Sequence, residues 1–132
     1  MLIKRWRMET ILIIGLGGFI GANLRYFVNL WVVERFGAGF PWGTLLINFT
    51  GSCLLAVFLA FAANRLNLDP RWRLLIATGF FGAYTTFSTW MVEAQRLGED
   101  GAFRAMWLYL LGSMTAGLAV TGAGWLLGGG LG

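Results

Sequence analysis

Three long stretches without a single Lys, Arg, Asp or Glu constrain this chain more than any other feature: residues 36–64, 74–92 and 105–132. A helix needs roughly 20 apolar residues to cross the hydrocarbon core of a bilayer. Each stretch holds about one crossing. A further apolar run follows Lys4, Arg5 and Arg7 and continues through Gly15, Gly17, Gly18 and Gly21, past Arg25, to Val33. A signal peptide has an apolar region of about 7–15 residues and then a small-residue cleavage site. This run is longer and shows no convincing cleavage site, so it reads as a first membrane helix. Only 12% of the residues are charged and 58% are hydrophobic, against about 25% charged in a soluble domain.

The expected architecture is an all-α integral membrane protein, one domain over 1–132, with helices at about 10–33, 42–63, 73–95 and 103–127. Gly37, Gly39, Gly98 and Gly101 punctuate two of the connectors. Asp69-Pro70 marks a turn and a helix start in the third. Connectors this short make successive helices antiparallel neighbours. Trp6, Trp31, Trp42, Trp72 and Trp107 fall near the predicted ends, as interfacial tryptophans do. One side of the membrane receives Lys4, Arg5, Arg7, Arg65, Arg71 and Arg73. The other receives Arg35, Arg96 and Arg104, with Arg25 as a possible fourth. This is a weak bias toward an inside N-terminus, compatible with insertion in both orientations.

Composition narrows the function. The 20 glycines would be costly in a soluble bundle but let membrane helices approach closely. Histidine is absent and Cys53 is the one cysteine, so zinc sites and histidine-based catalysis lack their usual groups. No nucleophile–base pair is visible, and an enzyme is not expected. The net charge of +4 comes from residues flanking apolar runs rather than from a soluble basic face, so no nucleic-acid partner is expected.

Polar residues inside the apolar runs fall on helical faces. Thr44, Asn48 and Ser52 are spaced by four in the second helix, and Thr85, Thr89 and Glu93 in the third. Tyr109, Ser113 and Thr121 follow the same spacing in the fourth, with Gly117 in the gap. Such stripes either bind helices to one another or line a polar path. Residues 79–90 are dense in glycine, hydroxyl and aromatic side chains, a composition that weakens a continuous helix. The third helix is therefore either broken mid-membrane, its freed backbone covered by protein or water, or continuous around a packing glycine.

Three motifs resemble the Fluc, or CrcB-type, fluoride channel family. The first helix carries Gly18-Phe19-Ile20-Gly21-Ala22-Asn23-Leu24-Arg25-Tyr26. The second opens on Pro41-Trp42-Gly43-Thr44 and reaches Asn48. The third carries Gly82-Ala83-Tyr84-Thr85-Thr86-Phe87-Ser88-Thr89. The resemblance implies a broken third helix and an antiparallel, dual-topology homodimer in the lipid bilayer of a bacterial inner (plasma) membrane. It implies passive fluoride export through two pores, which lowers cytoplasmic fluoride. A structural sodium ion at the dimer centre is implied on the backbone carbonyls of Gly82 and Thr85. The implied pore residues are Asn48, Phe87, Tyr109, Ser113 and Thr121, with Thr44, Thr89 and Glu93 as further polar positions and Arg25 near an entrance. Trp90 stands where the family has a second pore phenylalanine, and Gly117 where the track usually has a hydroxyl.

The chemistry fits a small, strongly hydrated anion. Amide and hydroxyl donors can replace its water, and aromatic ring edges are partly positive. Fixed cations would hold the ion too tightly for conduction. Two other functions compete. A proton-coupled multidrug exporter wants a carboxylate deep in the first helix, which offers only Glu9 at its start. A non-transporting membrane assembly protein would leave liposomes fluoride-tight.

Overall fold

The structure, a computed structural model, describes residues 8–65 and 67–129. Lys4, Arg5, Trp6 and Arg7 lie outside the described residues. Helix α1 spans Met8–Phe36 and α2 spans Trp42–Ala63. The third segment is divided. Its first half, α3, covers residues 70–84 and its second half, α4, covers Phe87–Glu99. Helix α5 spans Phe103–Leu127. The helices α1, α2 and α5 are each long and apolar enough to cross a membrane. The third segment differs because Thr85 and Thr86 are extended, with ψ values of 157° and 119°.

The ends follow from local chemistry. Pro70 opens α3, and the Asp69 side chain accepts a hydrogen bond from the Arg71 amide, an N-cap with proline in the first turn. Gly37 and Gly101 follow α1 and α4 at φ 79° and 75°, the left-handed conformation in which glycine ends a helix without strain. Over Arg73–Phe81 α3 widens into a π-helix, and the Gly82 N–H reaches back to the Ala77 carbonyl. The sequence pattern gave no sign of this widening.

Helix α1 packs chiefly on α3, and α2 chiefly on α5. A Cβ on Gly17 would overlap the Leu75 carbonyl oxygen, and one on Gly21 the Phe80 carbonyl oxygen. A Cβ on Gly124 of α5 would overlap the Cys53 carbonyl oxygen of α2. Backbone thus meets backbone at both seams, as small residues permit.

Paired positions give the directions. Glu9 and Arg71 form a 2.7 Å ion pair, and Gly17 and Gly21 meet Leu75 and Phe80, so α1 and α3 run parallel. Arg73 donates to the Ala62 carbonyl and Tyr84 meets Thr50, so α3 opposes α2. Asn64 donates to the Gly129 carbonyl at 2.7 Å, which sets the end of α5 beside the end of α2. The start of α1 and the end of α5 therefore share one end of the bundle.

Candidate functional site

The break is held by an exchange of hydrogen bonds. In a continuous helix the Thr86 N–H would close onto the Gly82 carbonyl and the Thr89 N–H onto the Thr85 carbonyl. Here the Thr86 N–H donates to Asn48 Oδ1 at 2.8 Å, and Asn48 Nδ2 donates back to the Thr86 carbonyl at 3.0 Å. The Thr89 N–H donates to Thr86 Oγ1 at 3.3 Å. Thr86 is thus clamped by Asn48 on one side and caps α4 on the other. The carbonyls of Gly82 and Thr85 lose their helical partners. The paired backbone donor and acceptor also fix which way the Asn48 amide points.

Beside the break lies a groove of about 440 Å³ between α2, α4 and α5. Asn48 and Ser52 line it from α2, and Thr85, Thr86, Phe87 and Trp90 from the break and α4. Ser113, Gly117 and Thr121 line it from α5, with Leu45, Phe49, Met114 and Leu118 completing the wall. None of these side chains is charged. Thr85 and Thr121 turn their hydroxyls back onto the carbonyls of Phe81 and Gly117. Phe87 and Trp90 have ring centroids 5.5 Å apart. The indole Nε1 of Trp90 and the hydroxyl of Ser113 are buried and have no hydrogen-bond partner among the described residues.

Three further predicted residues meet one helical turn beyond the groove. Thr44 donates to Glu93 Oε1 and Tyr109 donates to Glu93 Oε2, each at 2.8 Å. Thr44 and Tyr109 are almost fully buried. A carboxylate holding two hydroxyl donors is well satisfied in an apolar bundle. Each of the three stands one turn from a groove residue on its own helix: Asn48, Trp90 and Ser113.

Two more predicted residues, Thr89 and Arg25, neither line the groove nor join that cluster. Thr89 is exposed and accepts a hydrogen bond from the Thr86 hydroxyl at 3.0 Å. The break explains its displacement, because spacing by four does not carry from Thr85 across two extended residues. Arg25 is half-buried on α1 and is not among the residues that line the groove. Thr86, which the stripes passed over, is the centre of the local network. Its only signal was its place in the hydroxyl-rich run.

Three helices that can cross a membrane, with a broken third segment beside an uncharged groove, define a multi-pass membrane protein. The family model described as "CrcB-like protein, Camphor Resistance (CrcB)" matches residues 12–125. The chain belongs to the CrcB family. It is 45% identical over 119 residues to the "Fluoride-specific ion channel FluC" of Koribacter versatilis (strain Ellin345), covering 86% of this chain and 91% of that protein. It is 44% identical over 110 residues to the protein of that name from Roseiflexus sp. (strain RS-1), covering 83% and 89%. With that of Rhizobium meliloti (strain 1021) it shares 38% over 117 residues, covering 89% and 94%.

Proposed function

We propose that this chain is a fluoride-selective channel subunit that lets fluoride leave a bacterial cytoplasm passively across the inner membrane. The observation that carries the reading is the groove at the break. It offers amide, hydroxyl and indole donors and two aromatic rings, and it is lined by no Lys or Arg. Relatives named as fluoride-specific channels, similar over most of their length, supply the choice of anion. Asn48 has one N–H committed to Thr86 and a second left for an ion, since the amide carries two. The Thr44–Glu93–Tyr109 cluster closes one end of the path with a carboxylate whose hydroxyl partners bind it in place.

A second copy of the chain completes the assembly as an antiparallel homodimer with two pores. The freed carbonyls support this. In lipid an unsatisfied backbone group costs several kcal/mol, and Gly82 is exposed on the isolated subunit. A sodium ion at the dimer centre suits such groups, because a hard cation prefers oxygen ligands. Gly82 and Thr85 would hold it, and it would neutralise carbonyl dipoles in a dry interior. The Gly82 and Thr85 carbonyls, left without their helical N–H partners, are the oxygen donors that would suit it.

The test is anion efflux from liposomes containing the purified protein. Fluoride release with little chloride release is expected. Vesicles that stay fluoride-tight, or that release both anions alike, would defeat the assignment.

A further inference from the structure

We propose that the Trp90 indole N–H is an ion-binding donor of the pore, standing in for the hydroxyl that the α5 stripe lacks at Gly117. This rests on the fluoride-channel reading and deepens it, by saying what the indole donor does and which missing group it replaces.

The stripe on α5 runs Tyr109, Ser113, Gly117, Thr121, so a donor is missing at one step of four-residue spacing. Nothing lies within 4 Å of the Cβ that a side chain at Gly117 would carry. The gap is therefore open space rather than a seam where helices touch. Trp90 lines the same groove as Gly117 and Ser113. Its ring packs 5.5 Å from Phe87 and 6.3 Å from Tyr109 between centroids. Its Nε1 is buried without a partner, and so is the Ser113 hydroxyl.

Buried polar groups are nearly always paired, and tryptophan is usually placed so that its N–H finds a partner. Two unpaired groups on residues that line one groove, Trp90 from α4 and Ser113 from α5, therefore call for a ligand. An N–H can only donate, and a hydroxyl can turn to donate. A ligand at the indole N–H must be an acceptor, which excludes a cation there and suits an anion stripped of water. Burial of the nitrogen means that the ion reaches it when neighbouring side chains part, already without its water shell. Hydrogen bonds to a charged acceptor are roughly twice as strong as neutral ones.

The experiment compares fluoride efflux from liposomes for the natural protein, Trp90→Phe, and Trp90→Phe with Gly117→Ser. A fourth sample replaces Trp90 by 3-benzothienylalanine, which keeps the ring size and exchanges the N–H for sulfur. Both changes that lose the N–H are expected to slow efflux about ten-fold or more. Gly117→Ser should recover most of that loss in the Trp90→Phe background, because it returns a donor to the empty step. The benzothienyl variant guards against misfolding, since it leaves packing intact. Natural protein that releases no fluoride would overturn the channel reading and this inference with it. Fluoride release by the natural protein, with equal release by the sulfur variant, would overturn this inference alone. Slowed release that Gly117→Ser does not recover would remove the substitution of one donor for the other. A second readout is the indole ¹H–¹⁵N resonance that Trp90→Phe deletes. It should move on titration with sodium fluoride and stay in place with sodium chloride, and a resonance indifferent to both would overturn the proposal.

Discussion

Thr86 has an N–H and a C=O that its extended conformation takes out of the helix, and Asn48 satisfies both. Asn48 is thus a structural clamp as well as a candidate ion ligand. Asn48→Leu would leave two backbone groups unpaired at about 1–3 kcal/mol each. The expected outcome is a protein that melts at lower temperature and passes fluoride about ten-fold to a hundred-fold more slowly. Thermal unfolding in detergent and liposome efflux check the two effects separately. A variant with slow flux and unchanged melting would mean that Asn48 acts on the ion alone. Glu93 gives a second case. Glu93→Gln replaces one acceptor oxygen by an N–H₂ donor, so Thr44 or Tyr109 loses its carboxylate partner. A hydrogen bond to a charged group contributes about 1.5–3 kcal/mol. The variant should be less stable by about that amount, and Tyr109→Phe by a similar one. Measured stabilities equal to the natural protein would show that the two 2.8 Å bonds contribute nothing net.

At the scale of elements, the seam between α1 and α3 depends on the absence of two side chains. Gly21→Val would drive its Cβ into the Phe80 carbonyl oxygen, where neither backbone can yield without parting the helices. Overpacking costs about 1–3 kcal/mol or more, so poor expression or a sharply lowered melting temperature is expected. Gly15→Ala on the same helix meets nothing within 4 Å and should melt close to the natural protein. Equal effects from both would refute the seam. Much of this layout is legible in the sequence. Charge-free runs mark the crossings, Asp69-Pro70 marks the start of α3, and glycine with hydroxyls in 79–90 marks a weak helix. What the sequence hides is pairing across distance. Spacing by four places Thr44 and Asn48 on one face, but nothing in it says that the first meets Glu93 and the second Thr86. Those partners lie 49 and 38 residues away. The π-helical stretch Arg73–Phe81 is hidden for a related reason. Gly79 in this stretch lies against Gly17 of α1, a tertiary contact that no local preference encodes. π-helical turns tend to sit near functional sites, and this one runs directly into the break.

For the whole molecule, the decisive question is which way the chain enters the membrane. By sequence order, six basic residues fall toward the end shared by the start of α1 and the end of α5, and three or four toward the other. Among the described residues, all but Arg25, which lies within α1, stand close to helix ends, where basic residues count toward orientation. So small a difference leaves neither direction strongly preferred, and an antiparallel pair needs both. The prediction uses Gly39→Cys, an exposed site in the α1–α2 connector, in a Cys53→Ala background. A membrane-impermeant maleimide applied to sealed inner-membrane vesicles should label about half of the chains, and opening the vesicles should label the rest. Labelling from a single face would sink the dual-topology dimer. The same logic allows orientation to be forced. Arg35→Gln with Arg104→Gln leaves one or two basic residues against six and should fix the N-terminus inside. Such chains lack antiparallel partners, so fluoride efflux should fall to background although each subunit folds. Lys4→Gln, Arg5→Gln, Arg7→Gln and Arg65→Gln leave two against three or four, which favours the opposite direction. Among the described residues of the two sets, Arg35, Arg65 and Arg104, none lines the groove. Producing the two sets together should therefore restore efflux that the first set lacks alone. Restored efflux would tie conduction to pairing of opposed subunits. Full efflux from the first set by itself would show that a parallel assembly, or a single subunit, already conducts.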